Sequence, residues 1–329
     1  MIISKTPYRL SLFGGGTDYP SWFYYNPSKI ISAAMQHYCY ITIKDIPPFF
    51  EHNTLISYSE IERVKSIDEI KHPSARECLR YMNVDGVSVL FEGDLPSRTG
   101  IGSSSSFTVG LLNALYAYKD KKITKFDLAN EAINLEQEIL KENVGIQDQI
   151  MASYGGIRIV EMGPGNKWRV NKMYMAKNYL KELESHIMLG FSGVSRYAED
   201  YSKKQVEDIK QGKSEMELRT MVALTDDAID SISREEDMYK LGNLLNFGWE
   251  IKRKLIDGIK RNWIDDVYEQ SLSSGSLGGK LMGAGGGGFF MFLVPPQKQE
   301  DFKKNMKSIK VWVPFKFDTE GSQIIHQES

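Results

Sequence analysis

The sequence predicts an α+β protein of two domains, on three observations. With 329 residues, 41% of them hydrophobic, the chain can bury more than one core, and its length corresponds to about two domains. Strand-like runs gather in the first half and around two later apolar stretches, while residues 197–272 read as two or more long charged helices. Nothing repeats at a fixed period, and no βαβ pattern surrounds the glycine cluster at 283–288.

In chain order, Met1 to Phe13 reads as a strand region broken by Pro7, followed by a tight turn at Gly14-Gly15-Gly16-Thr17-Asp18. Ile30 to Ile46 is rich in β-branched and aromatic residues, giving one strand or two, stopped by Pro47-Pro48. Residues 60–83 are charged with spaced apolar positions and read as helix. Val87 to Glu92 alternates as a strand, Leu95 to Ser106 is a Gly/Ser-rich loop, and Phe107 to Ala117 is a mostly buried helix. Phe126 to Leu140 fits an amphipathic helix, and a glycine-punctuated segment spans Gly145 to Gly156. Ile157 to Met162 and Trp168 to Met175 form a hairpin around Gly163-Pro164-Gly165-Asn166. After the strand His186 to Phe191 come the charged helices, then the buried strand Phe289 to Val294, a helix over 298–308 and a last strand Val311 to Phe317. The polar tail from Thr319 is expected to be loose, and the domains to divide as 1–180 and 181–329.

Composition excludes several classes. The formal net charge is -2 with no basic tract, which gives a nucleic-acid role no electrostatic support. Cys39 and Cys78 have no metal-ligand spacing, and the five histidines form no cluster. The first residues lack the apolar core of a signal peptide, and the apolar run Phe289 to Val294 is far short of a membrane span, so a cytoplasmic protein is expected.

The loop Leu95 to Ser106 carries the chemistry. Its serines sit where a loop turns into a helix, and free N–H groups and the helix dipole there favour an anion. Gly100 and Gly102 let backbone approach a phosphate, and the hydroxyls add donors and a ligand type for Mg²⁺. The other reading is an ordinary serine N-cap. Gly283-Ala284-Gly285-Gly286-Gly287-Gly288 satisfies G-x-G-x-x-G, but a strand follows where a dinucleotide fold needs a helix. Gly212-Lys213-Ser214 has Glu207 where a P-loop needs its first glycine, and no H-R-D or D-F-G occurs.

Three separated segments, in the right order, resemble the GHMP kinases (galactokinase, homoserine kinase, mevalonate kinase and phosphomevalonate kinase). They are Pro7-Tyr8-Arg9-Leu10-Ser11-Leu12-Phe13-Gly14-Gly15-Gly16-Thr17-Asp18-Tyr19, Leu95 to Ser106, and Lys280-Leu281-Met282-Gly283-Ala284-Gly285-Gly286-Gly287-Gly288. The resemblance implies a ribosomal S5 domain 2-like amino-terminal domain, a ferredoxin-like carboxy-terminal domain, and ATP and Mg²⁺ as cofactors. Gly15-Gly16 stands where galactokinases carry Glu-His, which argues against galactose. Together with Gly145-Ile146-Gln147-Asp148-Gln149, the motifs are most similar to the branch that phosphorylates the anomeric hydroxyl of a sugar phosphate. Another anomeric sugar kinase, fucokinase- or galactokinase-like, and a non-catalytic sensor on the same scaffold remain as rivals; a homodimer stays open.

By resemblance, Asp148 is the base and Arg9 orients it and steadies charge on the attacking oxygen. Pro96, Arg98, Thr99, Gly100, Ile101, Gly102, Ser103, Ser104 and Ser105 would hold the nucleotide, and Ser104 and Glu136 the Mg²⁺, with the choice among the serines open. Gly15, Gly16, Thr17, Asp18, Gly283, Gly285 and Gly286 would approach the substrate. Arg196 is the choice for the sugar's own phosphate, because a guanidinium binds phosphate with two prongs. Each has a structural alternative: a helix cap for Asp148, a strand-end salt bridge for Arg9, a turn for Asp18, a surface arginine for Arg196, and tight packing for the glycines.

Overall fold

The computed structural model describes residues 1–193, 199–255, 262–283, 285 and 287–328; Arg196 and Gly286 lie outside them. The first part of the chain runs β1 (Ile2–Phe13), α1 (Pro20–Phe23), β2 (Ser28–Asp45), β3 (Thr54–Ser57), β4 (Ile61–Val64), α2 (Pro73–Met82) and β5 (Val87–Gly93). It continues through α3 (Ser103–Tyr118), α4 (Lys125–Asn134), α5 (Gln147–Tyr154), β6 (Ile157–Gly163) and β7 (Lys167–Lys172). The second part holds α6 (Lys177–His186), β8 (Ile187–Phe191), α7 (Glu199–Lys210), α8 (Glu215–Ser233), α9 (Met238–Leu255) and α10 (Asn262–Ser273). It ends with β9 (Gly278–Leu281), β10 (Phe289–Leu293), α11 (Gln299–Asn305), β11 (Val311–Val313) and β12 (Gln323–Gln327).

An eight-stranded sheet has the order β12-β1-β2-β5-β3-β4, with β6 on β2 and β7 on β6. Every pairing in it is antiparallel except β3 with β5. The 18-residue β2 serves two neighbours on one edge, β6 along residues 28–33 and β5 along residues 39–45. The fork between them is filled by the chain's last part: Gln36 N–H donates to the Lys316 carbonyl and Asp318 N–H to the Ala34 carbonyl, both at 2.9 Å. The second sheet is antiparallel in the order β11-β8-β10-β9. Read along the chain this is strand, helices, strand, strand, helix, strand, the ferredoxin-like arrangement expected.

Burial explains the patterns. Helix α3 is apolar all round because it lies between the first sheet and helices α2, α4 and α5. Strand β10 reads as an unbroken apolar run because both its faces are covered. Phe289, Met291 and Leu293 join the large core and Phe290 and Phe292 a second one with Trp249 and Phe302. The large core is shared: Leu10 and Leu12 of β1 cluster with Leu189 of β8, Met291 of β10 and Leu224 of α8.

Three local expectations are corrected. Pro7 does not break β1; the register shifts between Pro7 and Tyr8, which absorbs the missing donor at a bulge, and the Pro7 carbonyl accepts from Ser106 Oγ at 2.9 Å. The α-helix begins only at Pro73, after the edge strand at 61–64, which alternates exposed and buried, and a 3-10 turn at Ile67–Glu69. The tail from Thr319 is not loose: β12 pairs with β1, and Ser322 Oγ meets Thr6 Oγ1 at 2.7 Å. Residues 323–327 therefore complete the first sheet, although a single cut at 180 assigns them to the second part.

Candidate active site

Strand β1 presents Leu10 and Leu12 to the core and Arg9 and Ser11 to a cavity of about 260 Å³. Asp148 enters the same cavity as the second residue of α5. The two side chains meet as a fork: Arg9 Nε donates to Asp148 Oδ1 at 2.6 Å and Nη2 to Oδ2 at 2.8 Å. The third guanidinium nitrogen, Nη1, donates to the Gly100 carbonyl of the serine loop, and the Arg9 backbone N–H to the Ile101 carbonyl at 3.1 Å. One side chain thus ties β1, α5 and the serine loop together. The pair is mostly covered, with side-chain exposures of 8% for Arg9 and 26% for Asp148.

The first and third glycine-rich segments close the cavity. Asp18 Oδ1 accepts from Gly16 N–H at 3.0 Å and Oδ2 from Gln147 N–H at 3.4 Å, so this carboxylate ties the first turn to the start of α5. Burial raises its pKa, the Asp148 charge adds to that, and the N–H bonds oppose it. The serine loop and the third loop touch backbone to backbone. A Cβ on Gly100 would stand 2.4 Å from the Met282 carbonyl oxygen, and one on Gly283 2.5 Å from Gly100 Cα; both glycines also have positive φ.

Glu136 lies in a π-helical turn, Leu135–Ile139, that continues α4. Its carboxylate is fully buried; Oε2 accepts from Ser105 Oγ at 2.8 Å and from Gln149 Nε2 at 2.5 Å, while Oε1 has no hydrogen-bond partner. Burial, with the charge of Glu142, pushes its pKa up to about 8, opposed by the hydroxyls of Thr108 and Ser105 and by the Gln149 amide. Among the described residues, no group of three or more His, Cys, Asp or Glu is arranged to hold a metal.

Of the expected residues, Arg9, Gly15, Gly16, Asp18, Arg98, Gly100, Gly102, Ser103, Ser104, Ser105, Asp148 and Gly283 line the cavity. Others do not reach its wall. Thr17 is buried in its own turn, donating to the Gly14 carbonyl at 2.8 Å. Thr99 is buried and donates to the Pro96 carbonyl at 2.7 Å, Ile101 belongs to the core, and Gly285 is not on the wall. Glu136 sits behind the wall on Ser105 rather than Ser104. A wider cleft of about 560 Å³ beside Trp22 and Tyr25 is lined by none of the expected residues.

One charged group on the cavity wall was missed by sequence reasoning. Lys252, near the end of α9, lines the cavity and donates from Nζ to the carbonyls of Leu281 at 3.0 Å and Gly283 at 2.6 Å. In sequence it stands in Lys252-Arg253-Lys254, which looks like any solvated charged face.

The family model for GHMP kinases N terminal domain matches residues 70–156, and the one for GHMP kinases C terminal matches residues 228–309. The chain belongs to the GHMP kinase family. As a GHMP kinase it is an ATP-dependent kinase with the family's two-domain α+β fold. It is similar to D-glycero-alpha-D-manno-heptose 7-phosphate kinase of Campylobacter jejuni, 28% identical with 97% of each chain covered. It is also similar to mevalonate kinase of Pyrococcus abyssi, 27% identical over 65% of this chain and 62% of that one. The crystal structure of a D-glycero-D-manno-heptose 1-phosphate kinase from Bacteroides thetaiotaomicron shares the kinase's fold, with TM-score 0.77, 22% identity and all of both chains covered. Lactococcus lactis galactokinase complexed with galactose shares it at TM-score 0.75 and 15% identity, covering 98% of this chain and 94% of that one.

Proposed function

We propose that this GHMP sugar kinase transfers the γ-phosphoryl group of ATP to the anomeric C1 hydroxyl of D-glycero-α-D-manno-heptose 7-phosphate, giving the 1,7-bisphosphate and ADP. The product would feed nucleotide-activated heptose for a bacterial surface polysaccharide. The observation that carries the chemistry is the Arg9–Asp148 fork closed against the serine loop. Support for the sugar is the similarity, along almost the whole chain, to the Campylobacter heptose 7-phosphate kinase.

Asp148 takes the C1 hydroxyl proton as the oxygen attacks the γ-phosphorus. Arg9 holds that carboxylate in place with two bonds and keeps positive charge beside the oxygen that becomes negative. The residues at the start of α3 offer N–H groups and hydroxyls to the phosphates, and the third loop shapes the cavity's other side. Glu136, with the hydroxyls of Ser104 and Ser105, is the set that would hold Mg²⁺; the fit rests on a buried carboxylate oxygen that has no other partner. When bound, the cation neutralises charge on the transferring phosphates.

A coupled ADP-release assay across sugars with and without a 7-phosphate tests the reading. The heptose 7-phosphate should give the highest kcat/KM. Preference for an unphosphorylated hexose would overturn the substrate and leave a fucokinase- or galactokinase-like enzyme; no ADP release with any sugar would favour a sensor.

A further inference from the structure

Three basic side chains, Arg9, Arg98 and Lys252, and two acidic ones, Asp18 and Asp148, line the cavity wall. A further lysine, Lys280 of β9, lies buried next to Lys252 with its Nζ on the Leu12 carbonyl at 3.0 Å. Each guanidinium nitrogen of Arg9 already bonds Asp148 or Gly100. Among the described residues, Lys252 bonds backbone alone. Two of the donors its ammonium can offer go to the Leu281 and Gly283 carbonyls, and a third is available to a ligand in the cavity. The carbonyl of Gly283 belongs to the residue packed on Gly100. A chain of contacts therefore runs from Lys252 through Gly283 and Gly100 to Arg9 and Asp148.

We propose that Lys252 binds a phosphate group in the cavity while pinning the third glycine-rich loop onto the serine loop. The inference rests on the kinase reading of this cavity and adds the residue that recognises an anion. Two phosphates could supply that anion, the nucleotide's or the sugar's own, and both present the same oxygens. Burial pushes the Lys252 pKa down to about 7, the like charge of Arg9 adds to this and Asp18 opposes it. Among the described residues, the ionisable groups around it are Arg9 from β1, Asp18 from the first turn and Lys280 from β9, with Arg98 of the serine loop and Asp148 of α5 on the same cavity wall. A phosphate arriving beside Lys252 restores the charged form, so binding above about pH 7 takes up a proton.

The test is titration calorimetry of the whole protein at about pH 8, with ADP and with heptose 7-phosphate as separate probes, in buffers of different ionisation enthalpy. Lys252→Met should weaken the probe whose phosphate it holds by about tenfold or more. Lys252→Arg should keep that affinity but lose the proton uptake seen in the wild type, because a guanidinium stays charged. A purely structural lysine would not produce that split. The wild type alone gives a second check: affinity for the held probe should fall by up to about tenfold per pH unit above about pH 7. Equal affinities of wild type and Lys252→Met for both probes, equal proton uptake in wild type and Lys252→Arg, or a flat wild-type pH dependence overturns the proposal. A wild type that binds ADP but not heptose 7-phosphate overturns the substrate reading instead, and the ADP arm then decides Lys252.

Discussion

Asp148 is held by two hydrogen bonds from a covered arginine, so its position depends on geometry as well as charge. Asp148→Asn should cut turnover by roughly 10²–10⁴-fold while ADP affinity, read by calorimetry, stays near wild type, because the proton acceptor alone is lost. Arg9→Lys should also cut turnover although the charge is kept, since an ammonium cannot supply the fork. Glu136 gives a stability prediction. Its folded pKa, about 8, lies above the unfolded value of a carboxyl, so the stability linked to its protonated form is full below about pH 4.5 and lost as pH rises to 8. Glu136→Gln should flatten that slope in melting curves without Mg²⁺, with a gain near pH 8 of up to a few kcal/mol. That Arg9, Asp148 and Gly100 come together was legible through the resemblance of their segments to the family's motifs. Lys252 and the pairing of Ser105 with Glu136 were not, since each depends on how a distant helix is rotated against a loop.

At the level of elements, the contact between the serine loop and the third loop depends on the absence of side chains. Gly283→Ala would put a methyl 2.5 Å from Gly100 Cα at a residue of positive φ, so it should lower the melting temperature and raise KM for ATP together. Gly163→Ala, where the added carbon meets nothing within 4 Å, is the control expected to change neither. Patterning exposed the strand β10 and the hairpin of β6 and β7, whose apolar runs and turn glycines decide their own structure. It misled at Pro7 and at 61–64, where pairing with a neighbouring strand overrides local preference. The same holds for β12, Gln323-Ile324-Ile325-His326-Gln327, which becomes a strand because β1 offers an edge to it.

At the level of the molecule, the two sheets share one hydrophobic core and the cavity sits where their loops meet, so neither half keeps a core of its own at the seam. Calorimetric unfolding should therefore show a single transition; two resolved transitions would mean that the halves are independent. That the chain has two domains was legible from its length, and their fold types from the resemblance to the family. That its last residues belong to the first sheet was not, because nothing local in a polar tail says which edge it will find. The fork in β2 has a consequence for how the protein is made. Residues 314–327 follow every other strand of the first sheet along the chain, so during synthesis that sheet waits with an open notch and a bare edge until they have emerged. A message truncated after the first half would release a product with both sites uncovered, and such a fragment is expected to aggregate rather than fold.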